Sequence, residues 1–277
     1  MEANRQQQFL ADGYCFPIPA LSAEVAEDYR RRFHAFDSSA RARAFDDLHN
    51  QVYLFKPHLF LNWVDALVHE PAILDIAESV LGPDLLCWSA GVFQKPPHSD
   101  TYVTWHQDAV YYGLSPVDHA VRVWVALSAT TADNGTMEFA RAAHKVGLKR
   151  HLPLDQSDNL LSLGEEVDLD LARYEKVTVT LQPGEVSLHH LHMPHASGAN
   201  RSDGHRINLV ITYVAPDVRP ASGLDSALLV RGVDRFRHFQ AEQRLDREFS
   251  DWAVRAHARA MELRRRVFAS AEPAFDA

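Results

Sequence analysis

The sequence predicts a mainly β fold with flanking helices, an antiparallel sandwich or jelly roll. Short segments in the middle of the chain alternate with period two, as β-strands do when each of their faces has its own surroundings. Turns rich in glycine, proline and asparagine separate these segments, and no helical segments alternate with them. Short strands joined by polar turns are typical of antiparallel rather than parallel sheets.

The strand segments share β-branched and aromatic residues at alternating positions. They are Val121 to Leu127, Val177 to Leu181, Val186 to His190, and Ile207 to Val214. Turn sequences lie between them at Asp133-Asn134-Gly135, Pro183-Gly184 and Ser202-Asp203-Gly204. The stretch from Leu152 to Glu175 has no clear period, and long loops of this kind often act as lids over functional sites.

The two ends of the chain have helical character. Ser22 to Phe36 begins with a capping serine and an acidic first turn. Trp63 to Leu81 has apolar residues at helical spacing; Pro71 divides it or begins its second half, and Gly82-Pro83 ends it. Asp234 to Phe268 is arginine-rich with a helical period. We expect one domain over residues 1–277, with a β core at about 82–215.

Composition excludes some classes of function. A formal charge of −9 over 277 residues argues against a general nucleic-acid or anionic-membrane binder. We expect no membrane segment, because no apolar run approaches the roughly 18 residues that one requires. Cys15 and Cys87 lie in apolar surroundings, which favours free buried thiols in a reducing compartment. With no signal-peptide pattern at the N-terminus, we expect a cytoplasmic protein.

Two His-x-Asp motifs offer candidate metal ligands. His98-Ser99-Asp100 lies in a proline-rich loop, whereas His106-Gln107-Asp108 ends the apolar run from Tyr102 to Trp105. Residues i and i+2 of an extended segment project from the same face, so His106 and Asp108 can share one ion. Two solvated surface residues would give the same pattern.

A third ligand must come from a distant segment. Four histidines between residues 189 and 195 are candidates, and each could instead be an ordinary core or surface histidine. His195 is selected because the polar residues Ser197, Gly198 and Asn200 follow it and Arg206 then begins an apolar strand. Two histidines and one carboxylate match the facial triad of non-haem Fe(II) oxygenases. Arg206 is either an exposed strand-end residue or the partner of a carboxylate.

Together these residues resemble the phytanoyl-CoA dioxygenase family of Fe(II)/2-oxoglutarate oxygenases. Thr104 to Asp108 resembles the family's W-H-Q-D element, and Asn134 to Met137 resembles its N-G-x-L/M turn. His195 to Ser202 resembles its H-x-S-x-x-N-x-S element, with Arg206 eleven residues after the histidine. The similarity covers about half of the chain. It departs at Arg141 to His144, where the family often has Pro-Gly-Ser-His.

The resemblance implies a double-stranded β-helix and a set of roles. His106, Asp108 and His195 would bind iron, and O2 would be the oxidant. Arg206 would pair with the distal carboxylate of the co-substrate 2-oxoglutarate, helped by Ser197. Trp124 would line the co-substrate site, although it could equally be a core aromatic. The role of Lys95, which matches a recurrent family lysine, stays open.

The function that follows is hydroxylation of an unactivated C–H bond in a small polar metabolite, with release of succinate and CO2. Asp108 predicts hydroxylation over halogenation, because related halogenases replace this carboxylate with a small residue. Tyr111 and Tyr112 either face the pocket or lie in the core. The alternatives are a jelly-roll metal enzyme without 2-oxoglutarate, a catalytically silent binding protein, and, ranked lower, a protein-modifying hydroxylase. The substrate and the oligomeric state stay open.

Overall fold

The structure, a computed structural model, describes residues 2–38, 55–154, 159–160, 165–221 and 223–270. The helices are α1 (Glu2–Asp12), α2 (Ala23–Asp37), α3 (Asn62–Val68), α4 (Pro71–Leu81) and α5 (Asp251–Ser270). The strands are β1 (Tyr14–Pro19), β2 (Leu85–Lys95), β3 (Val103–His106), β4 (Leu114–Ser115), β5 (Ala120–Ala126), β6 (Met137–Ala140), β7 (His151–Pro153), β8 (Glu165–Val167), β9 (Lys176–Thr178), β10 (Glu185–His190), β11 (His195–Ser197), β12 (Arg206–Val214), β13 (Arg219–Pro220), β14 (Ser226–Arg231) and β15 (Gln240–Ala241).

Two sheets form the body of the protein, as expected of a jelly roll. The larger has seven strands in the order β1-β10-β5-β12-β2-β14-β15, and the smaller has four in the order β3-β11-β6-β9. All of their pairings are antiparallel except that of β14 with β15. The predicted fold class is therefore confirmed, and the order of the strands explains why it needs no alternating helices.

The larger sheet buries both of its faces, and the two faces differ in character. On β12 the apolar side chains of Ile207, Leu209 and Ile211 belong to the same core cluster as those of α3 and α4. The intervening Asn208 and Val210 belong to the opposite face, which is turned toward the smaller sheet. Each fully buried aliphatic side chain on the helix-covered face contributes about 1.5–3 kcal/mol. The other face is free to carry polar groups.

Local signals in the sequence correctly placed the first helices. The Ser22 hydroxyl caps α2 by accepting a hydrogen bond from the Val25 amide, at 3.3 Å. Pro71 begins α4 and so divides the Trp63–Leu81 segment in two, and Gly82 ends it with a φ of 90°. The two cysteines are free and buried, as expected. Within the described part of the chain, no helix is long and apolar enough to cross a membrane.

The prediction of a helix from Asp234 to Phe268 is wrong in its first half. Helix α5 begins only at Asp251, and β15 lies within the preceding segment. The amides of Gln240 and Glu242 donate to the carbonyls of Asp225 and Ala227, at 2.8 and 2.9 Å. These long-range bonds to β14 replace the local bonds of a helix, so tertiary contacts override the helical pattern.

Two other expectations need correction. The strand expected at Val177–Leu181 is β9, Lys176–Thr178, and Leu181 makes only an isolated bridge with Thr130. The stretch from Leu152 to Glu175 is not wholly irregular, since β7 and β8 pair as a hairpin within it. Of the lid expected there, residues 155–158 and 161–164 lie outside the described residues.

A buried ion pair joins the segment before α3 to the segment after β14. Lys56 Nζ lies 2.6 Å from Glu242 Oε1 and donates to the Ser226 carbonyl oxygen, also at 2.6 Å. The other carboxylate oxygen of Glu242 lies 3.2 Å from His58 Nε2. Lys56 and His58 are fully buried. We call Lys56, His58, Ser226 and Glu242 the flank network.

Candidate metal centre

Pairing of β3 with β11 brings two of the expected metal ligands together. His106 and His195 are directly opposite each other in this antiparallel ladder, and their ring centroids lie 4.1 Å apart. Asp108 follows β3 and reaches back, so its carboxylate oxygens lie 3.8 Å from His106 Nε2 and 3.9 Å from His195 Nε2. One potential ligand atom from each residue lies within 4.8 Å of the others, so the three can surround a single ion.

The residue between the first two ligands fixes the turn that joins them. Gln107 is fully buried and donates through Nε2 to the carbonyls of Gly147 and His192, both at 2.8 Å. Its Oε1 accepts from the Lys149 amide, also at 2.8 Å. These bonds direct the Gln107 side chain away from the metal site and fix the backbone between His106 and Asp108.

Both histidines have the ring orientation that metal ligands require. His106 Nδ1 donates to the Thr104 carbonyl and His195 Nδ1 to the Met193 carbonyl, each at 2.9 Å. A carbonyl can only accept, so the proton of each neutral ring lies on Nδ1 and the Nε2 lone pair is available for an ion. Burial lowers the pKa of His106 to about 3 and that of His195 to about 4. Both rings are therefore neutral near pH 7, as metal binding requires.

Asp108 is held ionised although it is buried. Burial alone would raise its pKa, but the charge of the Arg122 guanidinium holds that pKa well below its usual range. Arg122 Nε lies 2.9 Å from Asp108 Oδ2, and the Tyr112 hydroxyl donates to Oδ1 at 3.2 Å. The centre therefore presents two neutral imidazoles and one carboxylate.

Arg206 is buried near these ligands, and its charge faces no acid among the residues that the structure describes. One terminal nitrogen donates to the Gly135 carbonyl at 2.7 Å, and Cζ lies 5.5 Å from the centroid of the Trp124 ring. Its Nε makes no hydrogen bond, and no acidic side chain within the described ranges forms a salt bridge with it. Burial lowers its pKa to about 10, so it remains a cation near pH 7.

Two turns, one at Gly135 and one at Asn200, hold the Arg206 guanidinium in place. Gly135 has a φ of 71°, and a Cβ there would lie 2.4 Å from the Gly198 carbonyl oxygen, so only glycine fits. Asn200 donates through Nδ2 to the carbonyls of Lys95, Pro96 and Gly204, at 2.8 to 2.9 Å. These bonds connect the turn after β11 to the end of β2 and to the segment just before β12, whose first residue is Arg206.

Ser197 and Lys95 lie beside Arg206. Lys95 Nζ donates to Ser197 Oγ at 2.8 Å and to the Gly198 carbonyl, which leaves the Ser197 hydroxyl hydrogen free to point elsewhere. Burial and the nearby charge of Arg206 lower the pKa of Lys95 to about 6. Lys95 is therefore largely neutral near pH 7, and Arg206 carries the positive charge that suits this end of the cavity to an anion.

One cavity of about 170 Å³ connects these groups. The ligands, Arg206, Ser197 and Trp124 all line it. Tyr111 and Tyr112, whose orientation the sequence left open, also line it, as does Leu160 from the stretch expected to form a lid. Trp124 also belongs to the core cluster on the inner face of the larger sheet, so it is a core aromatic that faces the cavity.

The structure separates the two His-x-Asp motifs. His98 is exposed and lies 2.9 Å from Asp203, on the surface. Of the other histidine candidates, His190 pairs with Asp118 at 3.0 Å. His189, by contrast, lines the cavity with Nε2 3.5 Å from Asp108 Oδ2 and with neither ring nitrogen in a hydrogen bond of good geometry. His189 and Arg122 were not predicted; their alternation with apolar residues on β10 and β5 was the available signal.

Comparison with known proteins agrees with this geometry. The model of the phytanoyl-CoA dioxygenase family (PhyH) matches residues 9–208. A probable alpha-ketoglutarate-dependent hypophosphite dioxygenase of Stutzerimonas stutzeri is 28% identical over 239 residues, covering 80% of this chain and 82% of that protein. Human peroxisomal phytanoyl-CoA dioxygenase is 24% identical over 150 residues, covering 53% of this chain and 44% of that enzyme.

Among solved structures, the non-heme monooxygenase ThoJ in its apo form has a TM-score of 0.84 at 39% identity, covering 95% of this chain and 97% of that one. CytC3 with Fe(II) and alpha-ketoglutarate has a TM-score of 0.63 at 20% identity, covering 89% and 95%, a likeness of fold alone. The family match spans most of the chain. This protein therefore belongs to the phytanoyl-CoA dioxygenase family of Fe(II)/2-oxoglutarate-dependent oxygenases.

Proposed function

We propose that this protein hydroxylates an unactivated C–H bond of a small polar metabolite, using Fe(II), 2-oxoglutarate and O2. One oxygen atom of O2 enters the substrate as a hydroxyl group and the other enters succinate, while C1 of 2-oxoglutarate leaves as CO2. When bound, Fe(II) supplies the O2-activating chemistry of this class of enzyme. The protein supplies its ligands, the orientation of both substrates and a buried cavity.

His106, Asp108 and His195 are the proposed ligands and the catalytic centre. Their donor set fits a facial triad, since three protein ligands on one face leave other positions for co-substrate and O2. Support comes from the two Nδ1–H groups that turn the Nε2 atoms toward Asp108. Because the carboxylate of Asp108 fills the third protein position, hydroxylation is favoured over halogenation.

The observation that carries the proposal for 2-oxoglutarate is the buried guanidinium of Arg206. A buried cation is costly unless an anion pairs with it, and Arg206 faces the cavity of the proposed ligands. The distal carboxylate of a dicarboxylate would satisfy its unpaired Nε–H, with help from the Ser197 hydroxyl. Trp124 would form the wall on which Arg206 rests. A metal enzyme without 2-oxoglutarate, or a silent binding protein, gives no reason for this charge.

The proposal also covers the domain organisation of the chain, its cellular compartment and the kind of substrate. We propose that residues 1–277 act as one oxygenase domain, because α3 and α4 pack on the same sheet that forms the cavity. Two free, buried cysteines favour a reducing compartment such as the cytoplasm. The acidic net charge favours a small-molecule substrate over nucleic acid.

Replacement of Arg206 tests the proposal most directly. In Arg206→Ala we expect Fe(II) binding to persist, while the affinity for 2-oxoglutarate falls about 100-fold or more because a buried charge pair is lost. Anaerobic titration of the Fe(II)-loaded protein, followed by its visible charge-transfer band, measures that affinity. Succinate released under O2 measures turnover.

Arg201→Ala is the matched control, since Arg201 is an exposed arginine only five residues away. It should bind 2-oxoglutarate as the wild type does. If Arg206→Ala consumed 2-oxoglutarate at the wild-type rate, or if the wild type never consumed it with Fe(II), the proposal would be wrong. Turnover of another substrate without 2-oxoglutarate would instead favour the jelly-roll metal enzyme.

A further inference from the structure

We infer that Arg122 and His189, both on the larger sheet, are positioning residues that hold Oδ2 of Asp108 and leave its other oxygen, Oδ1, to bind the ion. This inference rests on the proposed function and adds to it how the third ligand is oriented. The two histidine ligands lie on the smaller sheet, whereas two contacts of the Asp108 carboxylate come from the larger one. Both sheets then build the centre together.

A row of polar side chains crosses four neighbouring strands of the larger sheet. Its members are directly opposite one another in the order His189 on β10, Arg122 on β5, Thr212 on β12 and Ser89 on β2. Opposite residues of a sheet project from the same face, so the four side chains share one face. Three of them are buried, and the Arg122 side chain is only 12% exposed. Buried polar groups are costly without partners, and the contacts of this row show what it holds.

The Arg122 guanidinium is fixed by contacts on several sides. Its Nη1 donates to Thr212 Oγ1 at 3.1 Å, and the same oxygen accepts from the Ser89 hydroxyl at 3.3 Å. Its Cζ lies over the Tyr112 ring, 5.2 Å from the centroid. Its Nε faces Asp108 Oδ2 at 2.9 Å. A planar guanidinium cannot turn without losing these contacts, so it gives the carboxylate a partner with a fixed direction.

His189 approaches the same carboxylate oxygen from the next strand. Its Nε2 lies 3.5 Å from Asp108 Oδ2, and its buried ring packs on that of Phe139, with centroids 5.1 Å apart. Neither ring nitrogen makes a hydrogen bond of good geometry with a described residue. A buried donor without an acceptor costs free energy, and Oδ2 is the acceptor that Nε2 faces. A shift of about 0.5 Å would bring these two atoms to hydrogen-bond distance.

The two carboxylate oxygens of Asp108 therefore have different surroundings. A metal cation at Oδ2 would lie beside the Arg122 guanidinium, and like charges so close together repel each other. Oδ1 accepts from the neutral Tyr112 hydroxyl at 3.2 Å and lies 3.8 Å from His106 Nε2. An oxygen with two lone pairs can accept that hydrogen bond and still bind an ion. A carboxylate that binds through one oxygen leaves the other positions on the ion to 2-oxoglutarate and O2.

Two substitutions that keep the charge of the site test this role. His189→Leu removes a neutral donor, and Arg122→Lys keeps the positive charge but loses the planar group that reaches Asp108 and Thr212 together. The affinity for Fe(II) is measured by equilibrium dialysis without O2 and without 2-oxoglutarate. We expect each variant to bind Fe(II) about ten- to hundred-fold more weakly than the wild type, because the carboxylate loses a group that orients it.

Two further variants serve as controls. His189→Gln retains an N–H donor and should recover most of the Fe(II) affinity that His189→Leu loses. Arg141→Lys makes the same exchange in an arginine that pairs with Asp12 and Glu175 at the surface, and it should bind Fe(II) as the wild type does. Unchanged Fe(II) affinity in His189→Leu or in a folded Arg122→Lys, or equal losses in His189→Gln and His189→Leu, would overturn the inference. If Arg122→Lys does not fold, the two His189 variants decide.

The visible charge-transfer band that Fe(II) forms with 2-oxoglutarate gives a second readout. A carboxylate without a donor at Oδ2 gives more charge to the ion, so the band of His189→Leu should move to longer wavelength. A band that stays in place would mean a merely structural role and overturn the inference. If the wild type binds Fe(II) but forms no band, the proposed function fails, and the Fe(II) affinities still decide the role of His189 and Arg122. If the band forms and the variants bind Fe(II) as the wild type does, only the positioning role fails.

Discussion

Two buried groups of charged side chains in this protein differ in how far they are satisfied. In the flank network, the Lys56 ammonium lies 2.6 Å from both the Glu242 carboxylate and the Ser226 carbonyl, and His58 contacts the second oxygen of Glu242. Cation and anion neutralise each other there. Its charged groups pair with one another, with only His58 Nδ1 left without a hydrogen bond among the described residues, and its evident role is to hold two segments of the chain together.

The metal-centre cavity is satisfied only in part. Arg206 has an unbonded Nε and faces no acid among the described residues, and the hydroxyl of Tyr111 makes no hydrogen bond there. The Nε2 atoms of two neutral histidines point at one carboxylate instead of at donors. Both regions therefore bury charged groups. Only the metal-centre cavity also has hydrogen-bond donors and potential metal-ligand atoms without partners, and this identifies it as a site for ligands.

Removal of a metal ligand should have the largest effect on the metal-centre cavity. We expect His106→Ala to abolish 2-oxoglutarate consumption, because two remaining side chains cannot hold the ion on one face. His98→Ala removes the histidine of the other His-x-Asp motif, which is exposed, and should leave consumption unchanged. Succinate release and bound iron per protein are the measurements. Full activity in His106→Ala would show that the cavity is not the metal site.

The flank network should respond in stability instead of activity. Lys56→Met leaves Glu242 buried without its cation, which should lower the free energy of unfolding by about 3–5 kcal/mol. Urea denaturation measures this change. The double variant Lys56→Met, Glu242→Leu removes both charges and should recover most of the loss. If the single variant were as stable as the wild type, the pair would not hold the flanks together.

Acid should weaken the same network within a defined pH range. Burial favours the neutral form of Glu242, but the charges of Lys56 and His58 outweigh it and lower its pKa from 4.5 to about 2. A folded-state pKa below the unfolded value means that the stabilisation is complete above about pH 4.5 and is lost as the pH falls toward 2. At about 1.4 kcal/mol for each pKa unit, this amounts to about 3 kcal/mol.

The control for this pH dependence is the Lys56→Met, Glu242→Leu variant, which lacks the pair but keeps the other carboxylates. Urea denaturation of the metal-free proteins at several pH values gives both curves. The wild type should lose more stability than the double variant between pH 4.5 and 2. Parallel curves would show that Glu242 titrates alike in the folded and unfolded states.

Signals confined to a few neighbouring residues predicted much of this fold. The alternation in Val121 to Leu127 predicted β5, Ser22 predicted the start of α2, and Pro71 predicted the division between α3 and α4. The helix expected from Asp234 was wrong in its first half because that segment bonds to β14 and Glu242 pairs with Lys56, a residue 186 positions away, and no local pattern encodes those contacts.

The candidate site shows the same division. His106, Asp108, His195 and Arg206 were predicted because motifs mark them, and the structure brings all four to one cavity. Arg122, His189 and Arg264 were missed, since each reaches the cavity only through sheet pairing or helix packing. Their polarity was visible in the sequence, but the direction in which they point depends on contacts between distant segments.

The pairing of His106 with His195 across two short strands ties ion loading to the alignment of the chain. A shift of β11 by one residue would turn His195 to the opposite side of the sheet, and the three donors could no longer meet. Molecules with mispaired strands would therefore stay empty in the presence of excess iron. The fraction of a purified sample that takes up iron would then count the correctly assembled molecules.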